Sequence, residues 1–230
     1  MLYKQERRVG SVEVNQIENN VVTIMGKVVS KLDFSHEVYG EGFYIFYLEV
    51  PRLSDVSDML PVTISERLLH NVNFKEGECF EIEGQFRSYN NYDNQFNKLM
   101  LTVFARDIKP VEDITNVKNP NEIFLNGYIC KKPIYRTTPF GREISDMLLA
   151  VNRQYNKSDY IPCIAWGRNA RYSEGLTVGE NVKVWGRVQS RSYQKKLEDG
   201  QVINKVAYEV SVIKMEFANE KNDAVLEDGA

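Results

Sequence analysis

The chain is poor in histidine and cysteine. It has two histidines, His36 and His70, and three scattered cysteines, Cys79, Cys130 and Cys163. Three cysteines cannot frame a disulfide scaffold, and without a CxxC pair the set argues against a zinc site. They read as buried thiols in a reducing cytoplasm. No apolar run approaches the roughly 18 residues of a membrane span. Met1 to Gly10 carries Lys4, Arg7 and Arg8 with no apolar core behind them, so no signal peptide and no membrane association are expected. There is no glycine-rich phosphate loop, no metal-ligand cluster and no Ser/His/Asp spacing. With so few general bases, no catalytic activity, metal or cofactor is expected. Glu76, Glu78, Glu81 and Glu83 alternate, as on a solvated strand face rather than in an acid–base pair.

What the chain has is aromatic residues, 13 Tyr and 11 Phe in 230 residues, which favour β structure. Its net charge of −3 hides an asymmetry. Residues 1–115 hold 12 basic and 18 acidic side chains, residues 116–217 hold 16 and 10, and residues 218–230 hold 1 and 4. An acidic half, a basic half and a short acidic tail suggest that one half meets an anion.

The halves are copies. Shifted by 101 places, Asn20 meets Asn121, Gly26 meets Gly127, Gly40 meets Gly141 and Arg52 meets Arg153. Ser57-Asp58 meets Ser158-Asp159, and Pro61 meets Pro162. One inserted residue later Gly84 meets Gly186, and two more bring Arg87-Ser88-Tyr89 onto Arg191-Ser192-Tyr193. Matched glycines, prolines and Ser-Asp pairs at one spacing mark a duplication.

Each copy reads as five strands: Val21–Val29, Phe43–Val50, Leu60–Ile64, Glu78–Tyr89 and Lys98–Ile108, then Ile123–Lys131, Ile144–Val151, Tyr160–Trp166, Asn181–Tyr193 and Val202–Phe217. Gly127 inside a strand predicts a bend or bulge, and TPFG at Thr138–Gly141 predicts a turn. A short helix is expected over Asn169 to Leu176, between the third and fourth strands. That order is an OB-fold, a five-stranded Greek-key barrel, so the chain is expected to be all-β with two tandem OB-folds. The expected organisation is an extension 1–19, a first barrel 20–109, a linker 110–120, a second barrel 121–217 and a tail 218–230.

Such barrels hold flexible strands by stacking bases on aromatics and pairing phosphates with Arg and Lys. The second copy interleaves these types repeatedly: Tyr135-Arg136, Arg153-Gln154-Tyr155, Trp166-Gly167-Arg168, Arg171-Tyr172, Trp185-Gly186-Arg187, and Arg191-Ser192-Tyr193 before Lys195-Lys196. KKPIYRTTPFG (131–141), LAVNR (149–153), SDYIPCIAWGR (158–168) and GRVQSRSY (186–193) fall in the order of the bacterial single-stranded DNA-binding proteins, a family that residues 121–217 resemble. The resemblance implies an OB-fold, strand binding without catalysis in replication, repair or recombination, and a homodimer presenting four barrels. It implies base stacking by Tyr155, Tyr160, Trp166 and Tyr193, and places Arg136, Arg153, Arg168 and Arg191 at basic positions. Arg187, Lys195 and Lys196 join the expected binding set. Trp185 has no counterpart in the family and is assigned to the strand or to an interface.

The first copy departs from this pattern. At the four stacking positions it has Ser54, Met59, Ser65 and Tyr89, with Tyr92 and Phe96 in a nearby loop. It therefore reads as mainly structural or partner-binding, with Tyr89, Tyr92 and Phe96 as secondary contacts. The family commonly ends in an acidic Pro-Phe tip that recruits replication proteins. Here Asn219 to Ala230 ends LEDGA and reads as a solvated terminus, which puts that partner in doubt. A rival reading is an OB-fold interaction module, a primosome or recombination accessory whose acidic copy grips a basic protein. RNA stays open beside single-stranded DNA, because stacking does not read the 2′-OH.

Overall fold

A computed structural model describes residues 19–54, 56–91, 98–115, 117–197 and 200–218. The extension 1–18, Tyr92, Phe96 and the tail 219–230 lie outside the described residues.

The first half contains β1 (Asn20–Val28), β2 (Asp33–Val38), β3 (Glu41–Pro51), β4 (Ser57–Ser65), α1 (Glu66–Leu69), β5 (Cys79–Asn91) and β6 (Lys98–Val111). The second repeats them as β7 (Asn121–Ile129), β8 (Ile134–Thr137), β9 (Glu143–Arg153), β10 (Lys157–Trp166), α2 (Arg168–Glu174), β11 (Asn181–Lys196) and β12 (Val202–Phe217). The strands follow one order, β2-β3-β4-β6-β5-β1-β7-β11-β12-β10-β9-β8. Further pairings of β3 with β1 and of β9 with β7 close each half into a barrel, giving two tandem OB-folds. The expected strands and helices are present, but each half has one strand more than expected. β2 and β8 are short edge strands exposed along most of their length, so they carry no alternation to read. β6 also runs to Val111, two residues beyond the expected boundary, and the Pro120 carbonyl accepts the Met25 N–H at 2.7 Å.

Alternating apolar residues fill both barrels. Val22, Ile24, Phe46, Leu48, Val62 and Phe86 in one, and Leu125, Leu149, Ile161, Val184 and Val210 in the other, belong to one buried cluster. The matched strand glycines Gly26/Gly127 and Gly84/Gly186 sit where strands cross closely. A Cβ on Gly84 or Gly186 would strike the carbonyl oxygen of Phe104 or Ser211, and both lie at register shifts between the paired arm strands. Gly186→Ala is expected to cost about 1–3 kcal/mol in urea unfolding, as overpacking does. Gly175→Ala, whose Cβ would meet nothing nearer than the Tyr172 carbonyl at 3.9 Å, is expected to stabilise by about 0.4–1 kcal/mol.

β1 and β7 pair antiparallel and join the barrels. Val22 lies opposite Ile123, its own repeat partner, so a local twofold relates the halves. Asn20 bonds the backbone of Phe86 at 2.8 and 2.9 Å, and Asn121 bonds that of Val188 at 2.7 and 2.9 Å. Two aspartates complete the joint. Asp58, 1% exposed, accepts the Ser190 N–H at 2.7 Å and Oγ at 3.0 Å, and two bonds from Arg52 at 2.6 and 2.7 Å. Asp159, fully buried, accepts the Ser88 N–H at 2.8 Å and lies 3.2 Å from Arg153 Nε.

These bonds correct one sequence alignment. Asp58 holds Ser190 where Asp159 holds Ser88, so Ser88 corresponds to Ser190, not Ser192. The two extra residues of the second half come later, in the arm. Tyr89 therefore corresponds to Arg191, and the Tyr193 position is Asn91. No residue of the first half matches the stacking set.

Candidate nucleic-acid interface

β10 has a buried and an outward face. Asp159, Ile161, Cys163 and Ala165 point in, and Tyr160, Pro162 and Trp166 point out, with Ile164 on the same side but buried. Tyr160 is 47% and Trp166 41% exposed, so each side chain is partly open to solvent. Six residues along one strand separate them by roughly 20 Å. Register places Ala150 opposite Tyr160 and Ile144 opposite Trp166, with Arg136 of β8 beside Ile144. The result is a sheet face edged by aromatic rings.

Tyr155 lies in the β9–β10 turn, 91% exposed, with φ +62°, followed by Asn156 at +54°. Two successive positive φ values suit the right-handed twist of a hairpin, and a tyrosine rarely adopts one. The turn thus presents the ring fully to solvent. Tyr193, 38% exposed, lies on the β11–β12 arm opposite Lys205. The four aromatics are therefore not one cluster: two share a strand face, one caps its turn and one rides the arm.

The basic residues divide by their partners. Arg168, Lys195 and Lys196 are exposed, Arg187 is half-buried, and none has a partner among the described residues. Gly167, at φ +52°, lets the chain turn from Trp166 directly into α2, putting Arg168 two residues from the indole. Arg136 pairs with Asp146 at 2.9 Å, and Arg191 with Glu209 at 3.3 Å, its guanidinium 5.8 Å from the Tyr193 ring. Exposed pairs such as Arg136–Asp146 are worth little and exchange readily. Arg153 is different. Its partner Asp159 is fully buried at the joint between halves, so part of the Arg153 charge is answered from inside the protein.

The remaining interleaved residues are committed elsewhere. Glu143 accepts the Tyr135 hydroxyl at 2.8 Å and pairs with Arg171 at 3.2 Å, tying β8 to α2. That bond holds the Tyr135 phenol above its usual range. Tyr172 packs on Phe217 at 5.3 Å. Trp185 lies on the opposite wall of the barrel, 5.1 Å from Phe124, with Lys214 Nζ 4.6 Å over its ring. Tyr89, on β5 opposite Met100, has its phenol raised chiefly by burial and then by Tyr47. Cys163 is buried, and burial pushes its thiol well up.

Two of the exposed aromatics outside the expected set are related by the repeat. Phe140, 92% exposed, and Tyr39, fully exposed, tip the β8–β9 and β2–β3 hairpins, each before a glycine at positive φ. The 101-residue shift pairs them, so the repeat itself carried the signal. Glu81, Glu83 and Asp107 of the acidic half gather around Lys109 at 4.0, 3.3 and 3.0 Å, which neutralises part of the row. No helix among the described residues is long and apolar enough to cross a membrane.

A model of the single-strand binding protein family matches residues 120–218. Single-stranded DNA-binding protein 2 of Listeria monocytogenes is 32% identical over 112 residues, 46% of this chain and 68% of that protein. The chain belongs to the single-strand binding protein family. Single-stranded DNA-binding protein 1 of Staphylococcus aureus is 37% identical over 81 residues, so the chain spans only 48% of that relative's length. The wild-type single-stranded DNA binding protein from Thermus aquaticus, at 20% identity, superposes with a TM-score of 0.70 over 87% of this chain and 93% of that one. Its likeness covers both barrels, whereas the family match is confined to the second.

Proposed function

We propose that the chain binds single-stranded DNA without marked sequence preference, by base stacking and phosphate contacts, and acts by binding rather than catalysis. The carrying observation is the second-half face, where Tyr160, Trp166 and Tyr155 stand exposed beside Arg168 and Arg187, which have no partner among the described residues. Every base has a π-face, so such a surface accepts any strand. Protection of exposed strands in replication, repair or recombination is the role this chemistry suits, and RNA is a ligand of the same type. Three free thiols suit a cytoplasmic setting. The Trp185–Phe124 pair, partly exposed on the barrel wall, supports a homodimer presenting four barrels.

Titration with oligothymidylate tests the reading. Trp166 fluorescence is expected to fall on binding. The slope of log K against log salt is expected near about −3, since four unpaired cations contribute about −0.7 each. A slope near about −5 would mean that all seven assigned cations release counterions, Arg153 included. Preference for duplex, or insensitivity to salt, would sink the proposal. Light scattering with and without a long strand gives the stoichiometry.

A further inference from the structure

The acidic half has no ring at the positions that carry Tyr160 and Trp166 in the other half. Met59 and Ser65 stand there, on β4. The strands on either side of β4 supply rings instead. Phe43 of β3 lies opposite Ser65, and Phe104 of β6 lies opposite Thr63. Their ring centroids are 5.7 Å apart, so they meet across the strip that Trp166 occupies in the second half. The Ser65 hydroxyl is buried there without a hydrogen-bond partner among the described residues. His36 of β2 stacks on Phe43 at 5.0 Å with its plane within 7°. Arg87 of β5 lies 3.8 Å over the Phe104 ring. A row of four π-systems, His36, Phe43, Phe104 and Arg87, therefore crosses five strands of the outward face. The second half has Ile144 and Ser211 at the Phe43 and Phe104 positions, so the row is a property of the first half alone.

A solvated sheet face carries polar side chains. This one carries two half-exposed phenyl rings and an exposed imidazole in contact, and it ends on a cation. That end adjoins the second-half face. Arg87 feels the charges of Arg153, Arg106 and Asp159, and its neighbour Ser88 accepts the Tyr160 N–H at 2.8 Å. Asp159 is buried and already paired with Arg153, so Arg87 and exposed Arg106 leave an excess of positive charge where the two faces meet. Burial first, then Arg153 and Arg106, bring the Arg87 guanidinium down to about 10, against the pull of Asp159.

We propose that the His36–Phe43–Phe104–Arg87 row is a second stacking platform, which takes the same single strand after it passes Tyr160 and crosses the joint at Arg87. The proposal rests on strand binding by the second half and extends it onto a surface with no counterpart there. Stacking supplies the affinity, as the acidic half has few free cations. The platform's contribution is therefore less salt-dependent than that of the second half.

The test is a length series of oligothymidylates on the full chain. Short oligomers fill the second half, and wild-type affinity should rise again once the strand is long enough to reach Phe43. Phe43→Leu with Phe104→Leu keeps the apolar cover over Ser65. It should leave short-oligomer affinity within about twofold and remove at least tenfold of the gain for long ones. Photocrosslinking of a long 5-iodouracil strand to wild-type protein avoids any folding defect. Adducts at Phe43 or Phe104 support the platform, and adducts confined to residues 121–217 overturn it. Loss of binding to all lengths by wild-type protein would instead overturn strand binding itself.

Discussion

Replacing Tyr160 and Trp166 together by Ala is expected to lower oligothymidylate affinity by about 30-fold to 10⁴-fold. Each base–aromatic stack is worth about 1–3 kcal/mol, and a factor of ten is about 1.4 kcal/mol. The rings stand roughly 20 Å apart on one strand, too far to share a partner, so their losses should add. Both are about half-exposed, which limits the cost to folding. Anisotropy of a labelled oligomer is the suitable readout, because Trp166→Ala removes a fluorophore. Met59→Ala, at the position matched to Tyr160, is expected to change affinity less than threefold. Equal effects at Met59 and Tyr160 would refute the division between halves. The single variants should rank Trp166→Ala at or above Tyr160→Ala, since indole offers the larger stacking surface. Tyr155→Ala should follow, because its ring stands free in a turn and must be ordered when a base lands on it.

The main strands were legible because alternation was strong and repeated. β1 and β7 read as strands from the same spacing, and their matched Gly26 and Gly127 let the Glu49 and Ala150 carbonyls approach closely. Edge strands β2 and β8 were not legible, since exposed residues on both faces leave no pattern. For the site, residue type located Tyr155, Tyr160, Trp166 and Arg168 on an open surface. It could not tell a free cation from a committed one. Arg153 and Arg168 look alike as letters, yet one faces a buried carboxylate and the other has no partner among the described residues. Nor could it see the first-half rings, which come from β3 and β6 rather than from the strand matched to β10. A search at equivalent positions finds Ser65 and stops there. Only the fold brings Phe43 and Phe104 together over it. The matched Arg52/Arg153 and Ser-Asp pairs were visible as repeat markers, and their purpose lay in the contact between copies.

That contact yields the largest expected effect on stability. Asp58→Ala is expected to cost about 3–5 kcal/mol, because it leaves Arg52 largely buried without its carboxylate and strips two bonds from Ser190. At about 2–4 °C per kcal/mol, the melting temperature should fall by about 6–20 °C. Asp159→Ala should cost less, about 1–3 kcal/mol. Among the described residues Asp159 is held by Ser88, whose N–H it accepts, and its Oδ2 faces Arg153 without a hydrogen bond. Its carboxyl is held above the usual range, first by burial and against the pull of Ser88, Arg153 and Arg87. A raised carboxyl means that the folded state binds more protons than the unfolded one between the ordinary and the raised pKa, so stability declines as pH rises through that window. Asp159→Asn, which keeps the shape and removes the charge, should therefore gain on the wild type through the same window and hold a constant difference above it. Replacing Arg52 and Asp58 together by Leu should recover part of the Asp58→Ala loss, since no buried charge is then left alone. Urea unfolding of the five proteins decides the matter: equal costs at Asp58 and Asp159 would show that the joint is held by the β1–β7 pairing and the apolar core, with the aspartates as passengers.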